Sequence, residues 1–228
     1  MIIYGKQVCL YALSKHEELI EKVFIAKKGI LPQSLYDKYR SKIKFLENRW
    51  AQSMSKGGNH QGILLEIAEP KSTSKDEIKN GDFVLVLDGL TDAGNIGAIV
   101  RSAYALGVDS IVATGVKQLN SAAIVRTSSG AMLDMPFLVL PNALDLINEF
   151  GQIGFVIYGA AMHGDRIEDI EFAKRRVLVM GSEGFGLSKK INSKIQQHIS
   201  IEMKRNFDSL NVSVAAGILI HRMGYAVK

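Results

Sequence analysis

From residue 83 onward the chain repeats one pattern. Short, nearly continuous apolar runs alternate with longer amphipathic stretches. The runs are FVLVLDG (83–89), SIVAT (110–114), FLVL (137–140), FVIYGA (155–160), VLVMG (177–181) and HISIEM (198–203). Apolar runs of this length, rich in β-branched residues, are what strands covered on both faces look like. Between them lie NIGAIVRSAYALG, NALDLINEF, LSKKINSKI and VSVAAGILIHRMG. In the first of these, Ile96, Ile99, Val100, Ala103 and Leu106 recur with a 3.6-residue period, the mark of a helix with one buried face. Strands alternating with helices predict an α/β fold with a parallel sheet. In such sheets ligands sit beyond the C-terminal ends of the strands, on the strand-to-helix loops.

The 228 residues are 47% apolar and 22% charged, enough to build a core. Cys9 is the only cysteine, which excludes an intrachain disulfide and a multi-cysteine metal site and fits a reducing, cytoplasmic setting. No run approaches the roughly 18 apolar residues of a membrane span, and the N-terminus lacks the basic start of a signal peptide. The net charge of +5 is uneven: residues 1–70 hold 11 Lys/Arg against 7 Asp/Glu, whereas residues 71–228 hold 17 against 16. A basic front segment suits contact with a polyanion. The stretch EPKSTSKDEIKNGD, poor in apolar residues, reads as a linker. The expected organisation is a small α/β domain over 1–68, a linker over 69–81 and the larger α/β domain over 82–228. Within the front domain a helix and a strand are expected at CLYALSKH and ELIEKVFIA, a helix running into an extended piece at SLYDKYRSKIKFLEN, and a Gly-rich loop feeding a strand at GGNHQGILLEIA.

Three loops at strand ends carry polar residues: DGLTDAGNIGAIVR, GSEGFGLS and the SLN of Ser209–Asn211. Together they offer Asn95, Arg101, Glu183, Ser209 and Asn211. Asn95, Ser209 and Asn211 each stand where helix N-caps are placed, and capping alone could account for them. Arg101 stands among apolar residues, and a guanidinium near a core needs an anion or a carboxylate partner. The glycine order around Glu183, G-x-x-G-x-G, is neither the dinucleotide fingerprint nor a phosphate-binding P-loop. No H-E-x-x-H or related metal spacing and no G-x-S-x-G nucleophile elbow occurs. Amides, a hydroxyl, one carboxylate and one guanidinium suit the alignment of two substrates for direct group transfer.

The stretches NIGAIVRSA (95–103), VMGSEGFGLS (179–188) and SLNVSVAAG (209–217) resemble, in order and spacing, the three motifs of the SpoU (TrmH) RNA ribose 2′-O-methyltransferases of the SPOUT superfamily. The resemblance covers about residues 83–226. The front domain, with GNHQGILLEI near its end, is similar to the L30e-like RNA-binding domain of the branch that methylates a guanosine of 23S rRNA. The resemblance implies a C-terminal domain closed by a deep trefoil knot, a feature periodicity does not reveal. It implies S-adenosylmethionine as cofactor, held by Gly181, Ile201 and Leu210. It implies a catalytic set of Asn95, Arg101, Glu183, Ser209 and Asn211, with Ser209 and Asn211 both capping the last helix and facing the reaction. It implies a homodimer formed through the C-terminal domain and RNA as partner, rRNA ahead of tRNA; DNA, which lacks the 2′-hydroxyl, is not expected as a substrate, and the lack of metal-ligand spacing predicts no metal.

Candidate RNA contacts are Arg49, Lys56, Asn59 and His60 in the front domain, beside Trp50 and Gln61, and Lys204 and Arg205 near the third motif. The chain departs from the family pattern at Ala93 and Glu202, where Pro is usual, and at Arg205, where Gly is usual. A tRNA-specific methyltransferase and a non-catalytic RNA-binding or ribosome-assembly module of the same fold stand as alternatives. A nucleotide-dependent oxidoreductase is disfavoured by the glycine order.

Overall fold

The structure, a computed structural model, describes residues 1–182, 184–205 and 209–225. Along the chain run β1 (Ile2–Tyr4), α1 (Lys6–Lys15), β2 (Ile20–Ile25), α2 (Gln33–Lys38), β3 (Ile43–Phe45), α3 (Asn48–Met54), β4 (Ile63–Ile67), α4 (Lys75–Lys79), β5 (Phe83–Asp88), α5 (Ala93–Ala105), β6 (Ser110–Thr114), α6 (Ser121–Thr127), β7 (Phe137–Leu140), α7 (Leu144–Gln152), β8 (Val156–Arg166), β9 (Arg176–Gly181), α8 (Lys189–Asn192), β10 (Gln197–Ser200) and α9 (Val212–Tyr225). They fall into two compact units, residues 1–71 with 120–134 and residues 72–119 with 135–228. Among the described residues, no helix is long and apolar enough to cross a membrane.

The first unit is built on a four-stranded sheet in the order β1-β4-β2-β3, with β4 antiparallel to both neighbours and β2 parallel to β3. Its core gathers Val8, Cys9, Ala12 and Leu13 from α1 with Ile3, Val23, Ile25, Ile63, Leu65 and Ile67 from the strands. Tyr39 is buried as well, and its hydroxyl donates to the Leu13 carbonyl (2.8 Å), so its one polar atom is satisfied. The unit also takes in residues expected in the second domain. Val125 of α6 is part of this core, and Ala122, Met132 and Leu133 pack against it. Where the segment ends, the Asp134 carboxylate accepts from Tyr11 Oη and lies 3.3 Å from His16 Nε2.

The second unit holds a six-stranded sheet, β10-β8-β9-β5-β6-β7, parallel at every pairing. Val84, Val86, Val112, Ile157, Val177 and Val179 pack with Leu146, Ile147 and Phe150 of α7 on one face. The alternate residues Leu85, Leu87, Ile111, Leu178 and Met180 are also buried. By the two-residue period of a strand they point to the opposite face, where α9 packs on α5 and reaches β9. Each such side chain contributes about 1.5–3 kcal/mol on full burial, so the sheet is anchored from both sides. The segment expected as linker is not bare. Ser74 and Glu77 form a reciprocal capping box on α4, and Ile78 is buried in the second core.

The parallel register fixes the location of any site. Asp88 at the end of β5 pairs with Thr114 of β6 on one side and with Gly181 of β9 on the other. The strand ends that feed the polar loops therefore share one edge.

The lone thiol is part of the first core. Burial pushes the Cys9 pKa far above the ordinary cysteine value. In the unfolded chain the thiol ionises at about 8.5, while the folded thiol stays protonated. Its contribution is present in full below that value and is lost as pH rises beyond it, by up to about 1.4 kcal/mol per pH unit. Urea unfolding at pH 7.5 and pH 10 should show this loss, and Cys9→Ala should remove that part of the slope. A thiol reagent should modify Cys9 only after denaturation.

Candidate active site at the C-terminal sheet edge

The first polar loop follows β5. Asp92 caps α5, its Oδ1 accepting from the Asn95 backbone N–H (2.7 Å). The helix therefore starts three residues earlier than an Asn95 cap would require, and the Asn95 side chain is committed elsewhere. Its Oδ1 accepts from Asn211 Nδ2 at 3.0 Å, joining residues that lie 116 positions apart.

Asn211 immediately precedes α9. Its Oδ1 accepts from the backbone N–H groups of Ser213 (2.9 Å) and Val214 (3.4 Å) and from the Ser213 hydroxyl (2.6 Å). Asn211 is thus the cap of α9, and one amide serves two ends: its oxygen holds the helix, its nitrogen holds the first loop. Ser209 lies two residues outside the cap and is exposed, so the expectation that it shares the capping is corrected.

Arg101 is exposed, not lodged in the core. Ile96, Ile99, Val100 and Ala103 are buried on the inward stripe of α5. At about 100° per residue Arg101 points to the other side, so its guanidinium is not the buried group that its neighbours in sequence suggest.

The second loop is a tight hairpin. Ser182 and Gly186 exchange two backbone hydrogen bonds, 3.1 and 2.9 Å. Gly181 sits so close beneath it that a Cβ there would lie 2.2 Å from the Gly186 carbonyl carbon. Only glycine fits. On the outgoing side the Ser188 N–H donates to Asp88 Oδ2 (2.7 Å), tying the hairpin to the end of β5. Glu183 lies outside the described residues. Ile201 and Leu210, the other expected cofactor contacts, are half-buried and border the same loops.

The electrostatics of the edge are one-sided. Two carboxylate or guanidinium groups are buried among the described residues, Asp88 and Arg176. Asp88 ends β5 at this edge, whereas Arg176 begins β9 at the other. Burial lowers the pKa of Arg176, with Asp109 and Asp82 opposing it. Neither Asp88 nor Asp92 is among the residues expected from sequence; an acid closing the run VLVLD is the signal that could have found the first.

Near the third loop, Lys204 and Arg205 are exposed. Glu202, the departure from the usual Pro, pairs with Lys204 and with Arg166 (2.9 Å). The Lys204 hydrogen bond first, and the Arg166 charge after it, hold the Glu202 carboxyl below the usual range.

In the first unit, Arg49, Lys56 and Asn59 are exposed or half-exposed, as a contact surface requires. Arg49 pairs with Glu47 (2.8 Å) and lies over the half-exposed Trp50 ring (5.4 Å). His60 does not belong with them. It is buried, and its Nδ1 accepts from the Gly62 N–H (3.1 Å), so it shapes the loop from within. Gln61 is likewise engaged, its Oε1 accepting from the Lys6 N–H (2.7 Å).

Comparison with known proteins bears on both units. The model of the SpoU rRNA Methylase family matches residues 82–221, and that for RNA 2′-O ribose methyltransferase substrate binding matches residues 2–73. The chain is 30% identical to the 23S rRNA (guanosine-2′-O-)-methyltransferase RlmB of Escherichia coli (strain K12), over 96% of each chain. It is 32% identical to the protein of the same name from Yersinia pestis, over 78% of this chain and 76% of that one. Among solved structures, the AdoMet-bound rRNA methyltransferase from Sinorhizobium meliloti superposes with a TM-score of 0.79 at 22% identity, covering 97% of this chain and 85% of that one.

The double role of Asn211 is separable by mutation. Asn211→Ala loses both cap and clasp and should destabilise the protein by about 1–2 kcal/mol. Asn211→Asp keeps an acceptor for the α9 N–H groups and should recover most of that loss in thermal unfolding. Gly181→Ala should displace the hairpin and weaken any ligand bound at this edge, as read by calorimetry.

Proposed function

Because the chain belongs to the SpoU rRNA methylase family, we propose that it transfers a methyl group from S-adenosylmethionine to a ribose 2′-hydroxyl of structured RNA. The names of the relatives from Escherichia coli and Yersinia pestis make a guanosine of 23S rRNA the preferred target, ahead of tRNA. The observation that carries the reading is the Asn95–Asn211 hydrogen bond, which draws the first and third motifs together at the edge where the second also ends.

The residues present fit the donor. Bound there, S-adenosylmethionine supplies a methyl group activated on a cationic sulfur. Asp88, a buried carboxylate at this edge, favours a cation, and the buried guanidinium of Arg176 is kept at the opposite edge, where β9 begins. Half-buried Ile201 and Leu210 offer apolar contact, and Gly181 brings backbone close without a side chain. In this reading those three hold the donor.

The chain's own task is alignment, exclusion of water and care of one proton. Asn95 and Asn211 fix each other, so their amides are pre-aligned where a reacting hydroxyl is received. Arg101, exposed on α5, stands outside the core and is able to meet an RNA phosphate while stabilising negative charge that develops on the 2′-oxygen. A guanidinium holds its proton too tightly to act as the base. Ser209 and Glu183 complete the set on the strength of the motif match. DNA lacks the 2′-hydroxyl and is not a substrate. In the front unit, Arg49, Lys56 and Asn59 receive the RNA, with Lys204 and Arg205 assisting in the second.

A homodimer through the C-terminal unit and the knotted path of its chain belong to the same reading. Exposed Val214 and Ile218 on α9, with Tyr104 on α5, support a partner there. The sole cysteine, reduced and buried, is in keeping with a cytoplasmic enzyme.

Mapping ribose methylation in rRNA and tRNA, with and without the protein, tests the assignment. One 23S guanosine should lose its methyl group when the protein is absent. Arg101→Ala should lower turnover by about 10²–10³-fold while leaving S-adenosylmethionine affinity nearly unchanged. Arg101→Lys should also be impaired, because the planar fork is what meets phosphate. Wild-type turnover in Arg101→Lys would overturn this role.

A further inference from the structure

The hairpin after β9 places Phe185 in solvent at 97% exposure, the most exposed of the large apolar side chains among the described residues. This is not a loose tip. The Ser182–Gly186 pair closes it, the Gly181–Gly186 backbone contact seats it on the strand, and the Ser188–Asp88 bond fixes its exit. A fold that pins a loop at three points and still leaves a phenyl ring uncovered presents a flat apolar face in a defined position.

The segment beyond the ring is basic. Lys189, Lys190 and Lys194 are exposed, and no acidic residue occurs between Gly184 and His198. None of the three lysines takes part in an ion pair among the described residues, so their charges are not neutralised there. An uncovered ring followed four and five residues later by exposed ammonium groups matches a ligand with flat faces on an anionic backbone. That is unpaired RNA: its bases stack on aromatic rings, and its phosphates attract lysine. In a duplex the base faces are already stacked and cannot reach the ring.

We propose that Phe185, Lys189 and Lys190 form a contact for a single-stranded segment of the RNA substrate, with Phe185 stacking on an unpaired base and the lysines holding its phosphates. Phe185 is then a positioning and specificity residue, favouring targets in loops or bulges. The inference deepens the methyltransferase reading and rests on it for the identity of the RNA.

The test is fluorescence anisotropy with a 12-nucleotide single-stranded RNA and a 12-base-pair RNA duplex, with S-adenosylmethionine binding measured in parallel. Phe185→Ala should weaken single-strand binding roughly tenfold or more and leave duplex binding unchanged. Phe185→Trp should restore it. Lys189→Gln with Lys190→Gln should reduce the salt slope of single-strand binding by about 1.4, since each phosphate left without its lysine lowers the slope by roughly 0.7. Because the ring is exposed, these variants should fold as the parent does. Equal single-strand affinity in Phe185→Ala and the parent, or no single-strand binding by the parent, overturns the proposal. So does a change of oligomeric state in Phe185→Ala with RNA affinity intact, which would assign the ring to a protein contact. Loss of methylation in all RNAs with S-adenosylmethionine binding absent would instead count against the proposed function, and the anisotropy result would still judge the patch.

Discussion

Parallel pairing through the six strands of the second unit is the constraint that creates the candidate site. Parallel neighbours must be joined by crossovers, so every strand of the sheet ends at the same edge, and loops from neighbouring strands can meet there. The pairing of Asp88 with both Thr114 and Gly181 makes this concrete for three adjacent strands. The polar residues of the loops are distant in sequence. The sheet aligns the strand ends, the packing of α9 on α5 brings the two helix starts together, and the bond between the two asparagine amides records the result.

That bond also shows how few charges the edge uses. An amide offers a donor and an acceptor without the desolvation cost of an ion. Asn211 commits its oxygen to a helix end that requires an acceptor, and its nitrogen to a partner loop. The charged groups are set apart, Asp88 buried below the loops and Arg101 exposed on the outer face of α5. Such a division lets the two asparagine amides fix each other without a charge, which suits the alignment of a substrate with a charged donor.

The six strands are legible because buried parallel strands are written as apolar runs; five expected runs coincide with an observed strand to within about three residues, whereas β8 runs on to Arg166, six residues past the expected FVIYGA, through mostly exposed residues that form no apolar run. Shorter elements are not. β1 has only three residues, and α3 and α6 have seven each, with no long period to detect. The neighbours of Arg101 in sequence suggest a buried guanidinium, although the helical period that identifies the buried stripe already puts it on the opposite side. His60 lies in a loop rich in glycine and amides, where nothing local distinguishes a histidine that faces inward from one that faces RNA. Asn95 and Asn211 are visible as candidates, but their meeting depends on the order of strands in the sheet, which no single stretch of sequence encodes.

The discontinuous make-up of the first unit bears on how the protein comes to be made. Val125, Met132 and Leu133 complete a core whose other members are synthesised many residues earlier. On the ribosome, residues 1–71 emerge with that core unfinished, and it closes only after residue 134 has cleared the exit tunnel. Strands β5 and β6 are by then already outside. The two units are therefore not consecutive beads on a string. A truncation placed at residue 71 would cut off a piece of the front unit's own interior.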